Sequence, residues 1–175
     1  MFNQITKIIF AAILLITIGS CEKKCTSVVC PVGEECSSGY CVCNDGYEGS
    51  DCQTLSYLKY VGNYNSSEIC NGGPPNFSSS PSVSVFGYPN SAANVIYING
   101  VFGQLQLRAY IYNTPGRLGN NIYVPAQSQG GITIQDSYGS FYPATNGYNN
   151  AYMTINMNYI YGNIAYGCVE TFNKY

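Results

Sequence analysis

Glu68, Asp136 and Glu170 are the only carboxylate side chains among residues 53–175. Two carboxylates facing one another can hydrolyse a glycosidic bond. Glu68 stands two residues before Cys70 and Glu170 two residues after Cys168, so these acids could meet in space. The simpler expectation is that both are exposed charges at strand ends. Other catalytic chemistry is hard to assemble. The chain has no histidine, the usual proton acceptor for a serine or cysteine nucleophile. It carries neither a Gly-x-Ser-x-Gly elbow nor a phosphate-cradling glycine loop. We therefore expect no catalytic residue, no cofactor and no enzyme.

Binding chemistry is better supplied. Sixteen of the eighteen tyrosines fall in residues 53–175, accompanied by many asparagines. Tyrosine offers an apolar face with a polar tip, and asparagine offers paired donors and acceptors. Together they suit glycans or peptides, a vocabulary that antibody paratopes share. The ligand-binding residues themselves are not specified by the sequence. With Lys7 set aside, six basic side chains stand against nine acidic ones, net −3, with no basic patch. Nucleic acid is not an expected partner.

Nine cysteines stand at 21, 25, 30, 36, 41, 43, 52, 70 and 168. Six of them lie between 25 and 52, a segment too short to bury much apolar surface without disulfides or metal. Zinc sites favour paired cysteines two to four residues apart, often with histidine. A disulfide framework is expected instead, although spacing alone leaves fifteen pairings open.

The first twenty residues do not belong to a fold. Lys7 precedes an apolar run from Ile8 to Ile18, half the length of about 20 residues needed to span a membrane and the length of a signal-peptide core. Ile18-Gly19-Ser20-Cys21 then resembles the lipobox of bacterial lipoproteins. That resemblance implies lipid on Cys21, cleavage before it, and a membrane partner. The odd cysteine count agrees, because removing Cys21 leaves eight that can all pair. The expected location is the bacterial envelope, held by lipid in the outer membrane. A plain secretory signal cleaved near Ser20 is the alternative.

Cys41-Val42-Cys43-Asn44-Asp45-Gly46-Tyr47-Glu48-Gly49-Ser50-Asp51-Cys52 resembles the C-terminal half of an epidermal-growth-factor-like module, and the resemblance covers residues 25–52. It implies the bridges Cys25–Cys36, Cys30–Cys41 and Cys43–Cys52. Some such modules hold calcium just before the first cysteine. Here Glu22, Lys23 and Lys24 occupy that place, and two lysines oppose a cation, so no metal is expected. Three residues separate Cys21 from Cys25, which makes a spacer near the bilayer the favoured role over a receptor-binding unit.

From Gln53 the apolar period becomes two, the repeat of a strand with one buried face. Leu105–Tyr112, Ile132–Gln135 and Met153–Tyr159 alternate, and shorter alternations involve Val83, Val85, Val95 and Tyr97. Turn signals lie at Asn99-Gly100, Pro115-Gly116, Gly119-Asn120, Gly130-Gly131, Tyr138-Gly139 and Asn146-Gly147. Seven to nine antiparallel strands are expected, forming a barrel or sandwich. Cys70 and Cys168 remain for a bridge closing a loop of nearly 100 residues, worth about 4.7 kcal/mol in the chain-entropy account. It would place a first strand around 60–65 beside a last around 164–171, as closure requires. Lys59-Tyr60-Val61-Gly62-Asn63-Tyr64, Val124-Pro125-Ala126-Gln127 and the two cysteines resemble landmarks of small β-domains in Bacteroidota lipoproteins.

The expected organisation is thus mainly β: a signal peptide over 1–20, an anchor and tether over 21–24, an EGF-like module over 25–52 and an antiparallel β-domain over 53–175. The expected role is a membrane-anchored binding or structural envelope component for glycans or peptides. The alternative is a protein-interaction scaffold without a small ligand.

Overall fold

The computed structural model describes residues 25, 28–71, 82–87, 92–114, 117–145 and 150–175. The signal segment, Cys21 and the tether lie outside the described residues, as do the turn signals Pro115-Gly116 and Asn146-Gly147. The cysteine-rich segment contains two hairpins. β1 (Glu34–Ser37) pairs with β2 (Tyr40–Cys43), and β3 (Tyr47–Glu48) pairs with β4 (Thr54–Leu55). Disulfides join Cys25 to Cys36, Cys30 to Cys41 and Cys43 to Cys52, the pairs that the module resemblance implies.

A short 3-10 turn, Ser56–Lys59, leads into the large sheet. Its strands are β5 (Gly62–Asn71), β6 (Val83–Phe86), β7 (Val95–Val101), β8 (Leu105–Thr114), β9 (Arg117–Val124), β10 (Gln127–Gln129), β11 (Ile132–Ile134), β12 (Ser137–Tyr142), β13 (Tyr152–Tyr161) and β14 (Ile164–Lys174). The order β13-β12-β9-β8-β7-β6-β5-β14 returns to β13, giving a closed antiparallel barrel of eight strands. β10 and β11 extend from β13 as a flap. The expectation of a barrel or sandwich thus resolves to a barrel, with ten strands from Gly62 onward among the described residues. No helix among them is long and apolar enough to cross a membrane.

Closure follows from the inward stripes. Leu105, Leu107, Ala109 and Ile111 of β8 are buried, as are Met153, Ile155, Met157 and Tyr159 of β13, each large aliphatic side chain contributing about 1.5–3 kcal/mol. Cys168 stands directly opposite Cys70, and their disulfide fastens β14 to β5. Tyr60 and Tyr64 plug the interior; Tyr60 donates to the Gly119 carbonyl at 2.7 Å and Tyr64 to the Tyr60 carbonyl at 2.6 Å. Burial pushes both phenols above their ordinary range.

Two readings of the pattern need correction. The barrel face of β7 is Ile96 and Ile98, whereas Val95 and Tyr97 point the other way. Both phases of that strand are apolar, so alternation could not choose. Asn99-Gly100, Gly119-Asn120 and Tyr138-Gly139 carry turn signals but lie inside strands. At Asn99-Gly100 the register with β8 slips, making a bulge. Gly119, at φ +60°, lies against Ser56, where a β-carbon would fall 2.4 Å from the hydroxyl. That glycine serves close packing.

The cysteine-rich module is seated on the barrel through Asn113. Its side-chain amide donates to the carbonyls of Cys43, Asn44 and Tyr47 at 2.8, 2.9 and 3.0 Å. Its own backbone N–H donates to Asp45 Oδ1 at 2.7 Å. Lys59 and Glu48 add an ion pair across the junction.

Candidate functional site

Two clusters combine chemistry-bearing side chains, one outside the barrel and one inside. The outer cluster arises from strand phase. With Leu105, Leu107, Ala109 and Ile111 turned inward, Tyr110 and Tyr112 of β8 must point outward. Tyr123 of β9 stands directly opposite Tyr110, and Tyr138 of β12 directly opposite Tyr123. Cross-strand neighbours on one face are in contact range, and the three rings form a near-parallel row with centroids 6.3 and 5.2 Å apart. Tyr138 is 55% exposed. The row borders a groove of about 610 Å³, lined by Tyr110, Tyr112, Tyr123, Tyr138, Pro125, Asn94 and Asp45. Asp45 belongs to the module, so two parts of the chain build one groove.

The surroundings of this row are fixed. Asp136, one of the three acids, accepts the Tyr123 hydroxyl at 2.8 Å and the Ala126 N–H at 2.9 Å. That contact, first, raises the Tyr123 phenol above its ordinary pKa. The Arg108 guanidinium carbon lies 4.9 Å from the Tyr110 centroid, a cation–π contact. The Val124-Pro125-Ala126-Gln127 segment also gains a physical role. β9 ends at Val124, which leaves Leu105–Ala109 without a strand partner on that side. Gln127 replaces one: its amide accepts from Arg108 N–H at 3.0 Å and donates to Arg108 O at 3.0 Å. Gln129 accepts from Gln106 N–H at 2.9 Å.

The inner cluster corrects the reading of Glu68 and Glu170 as exposed charges. They stand directly opposite one another on β5 and β14, and Glu170 is only 4% exposed. Alternation explains it, since Glu170 shares the inward phase of Cys168 and Phe172. Tyr159 donates to Glu68 Oε1 at 3.1 Å, and Cys70 Sγ touches the same oxygen at 2.9 Å. Burial, then the Glu68 charge, pushes the Glu170 carboxyl up to about 8. Burial also raises Glu68, partly offset by the Tyr159 hydrogen bond. Burial, then the Glu68 charge, raises the Tyr159 phenol. Glu68, Cys70 and Cys168 group as metal ligands do, but both sulfurs belong to one disulfide and have no thiolate to offer. The rings of Phe102 and Tyr166 pack on Tyr159 at 4.7 and 5.2 Å. Glu170 therefore lies in a packed interior with the half-buried Glu68 beside it, whereas the tyrosine row borders open space.

Sequence reading singled out the tyrosines as a class and the acids by number; it did not single out Asp45, Asn94 or Asn113. Their role depends on the module's seat on the barrel, which no spacing in the sequence encodes. No protein-family model, curated protein or solved structure matches the chain.

Proposed function

We propose that this is an exported, lipid-anchored protein of a bacterial envelope whose tyrosine groove binds a glycan. The single observation that carries the binding role is the row of Tyr110, Tyr123 and Tyr138, with Tyr112, along a 610 Å³ groove. Sugar rings present C–H faces that pack on aromatic rings, and their hydroxyls need neutral donors and acceptors such as Asn94. Concave sites lined by aromatics with a few polar groups are the common form of ligand pocket. The module, seated through Asn113, acts as the spacer between the anchor and the barrel while forming one wall of the groove.

The anchor reading gains from the disulfides. All eight described cysteines are bridged, which leaves the ninth, Cys21, for lipid. Mass spectrometry of the mature N-terminus is expected to find acyl chains on Cys21; an unmodified thiol there removes the anchor from this account. For the groove, an array of glycans and peptides probed with the purified protein is expected to retain oligosaccharides. Binding confined to peptides would favour the protein-interaction scaffold, and silence across the glycans would end the glycan reading.

A further inference from the structure

We propose that the groove selects sugars carrying a free, protonated amine, and that Asp45 of the cysteine-rich module is the residue that makes the selection. This rests on the glycan reading of the same groove and names the ligand class within it.

Among the described residues that line the groove, Asp45 is the carboxylate, beside four tyrosine rings. Aromatic faces attract ammonium groups through the ring quadrupole, and a carboxylate at the rim adds a direct charge partner. Asp45 takes part in no ion pair among the described residues. Its Oδ1 is held by the Asn113 N–H at 2.7 Å, which fixes the side chain in place. A carboxylate has a second oxygen, with further acceptor capacity on both.

The local charge balance points the same way. Among the described side chains, Asp45 and Asp136 flank the tyrosine row and Arg108 is the cation that lies on it. Two carboxylates thus stand beside one described cation, in a domain where charged side chains are scarce. Arg108 on Tyr110 also shows that a ring of this row accepts a cation on its face.

Position matters as much as charge. Asp45 reaches the groove only because Asn113 ties the carbonyls of Cys43, Asn44 and Tyr47 to β8. Gly46, the next residue, comes so close to the barrel that a β-carbon would fall 2.5 Å from the Ala93 and Asn94 backbone. The module thereby supplies the specificity group, and the barrel supplies the rings.

The test uses the purified protein and two β-linked glucosamine oligomers of equal length, one N-acetylated and one with free amines. Titration calorimetry at mildly acidic pH is expected to show tighter binding of the free-amine oligomer, weakened by added salt. Asp45→Asn keeps an acceptor for the Asn113 N–H while removing the charge. It is expected to cost about tenfold or more in affinity for the amine oligomer, the scale of one hydrogen bond to a charged group. The N-acetylated oligomer, which offers no ammonium, is expected to lose less, so the ratio of the two affinities falls toward one. Equal affinities for both oligomers, or an Asp45→Asn variant that keeps the amine preference, overturns the proposal while leaving the glycan reading intact. Failure of both oligomers and of every other glycan would remove the reading beneath it.

Discussion

Glu170→Gln is expected to make the protein more stable at pH 8 than the unaltered chain, although a buried side chain is changed. The carboxyl is held up at about 8 in the folded protein against an ordinary value of 4.5, chiefly by burial and then by Glu68. The folded state therefore keeps a proton that the unfolded chain has released. Stability is fully present below about pH 4.5 and declines as pH rises toward about 8. The slope for one such proton is about 1.4 kcal/mol per pH unit, so the loss across the window is on the order of several kcal/mol. The titratable groups facing Glu170 are Glu68 from β5 and Tyr159 from β13. No cation pairs with either carboxyl among the described residues. Glu68, itself raised, works in the same direction, and the two carboxyls titrate as a pair.

Glutamine has nearly the shape of glutamate and no charge to bury. Melting curves by circular dichroism, taken from pH 4.5 to 8, provide the check. The unaltered protein should lose melting temperature steadily across that range, and Glu170→Gln should flatten the curve. A flat profile in the unaltered protein, or the same slope in both, would show that Glu170 holds no extra proton.

Loss of binding on removing Tyr138 is the second large effect expected. Its ring is the most exposed of the row, centred 5.2 Å from that of Tyr123. Stacking on one aromatic side chain is worth roughly 1–3 kcal/mol by alanine substitution in nucleic-acid sites, where flat ligands pack similarly. Tyr138→Ala is therefore expected to weaken glycan binding about tenfold or more. The effect on stability should be small, because the ring lies outside the barrel core.

Much of the β-domain could be read in the chain because a period of two exposes one face to water and one to the core. Leu105–Tyr112 and Met153–Tyr159 carry that pattern cleanly, and the barrel uses both in the phase their sequence indicates. Reading failed where pattern stops discriminating. Val95–Ile98 is apolar in both phases, so only the pairing with β6 and β8 decides which side faces in. Glycines such as Gly119 look like turn residues until the packing against Ser56 is seen. Glu170 defeats the expectation of an exposed charge because acidic residues are rarely buried, yet its phase with Cys168 and Phe172 is present in the sequence. The tyrosines divide in the same way. Tyr60, Tyr64 and Tyr159 serve the core, and Tyr110, Tyr123 and Tyr138 serve the surface. Composition counts them alike; strand phase separates them.

The central claim is that the tyrosine groove is the binding site. Chemical-shift mapping tests it most directly: the isotope-labelled protein and its Tyr138→Ala variant are titrated with the oligosaccharide that binds best on the array. The account predicts shifts concentrated at Asp45, Asn94, Tyr110, Tyr112, Tyr123 and Tyr138, with binding weakened in the variant. Shifts confined to another face, with equal affinity in both proteins, would contradict it.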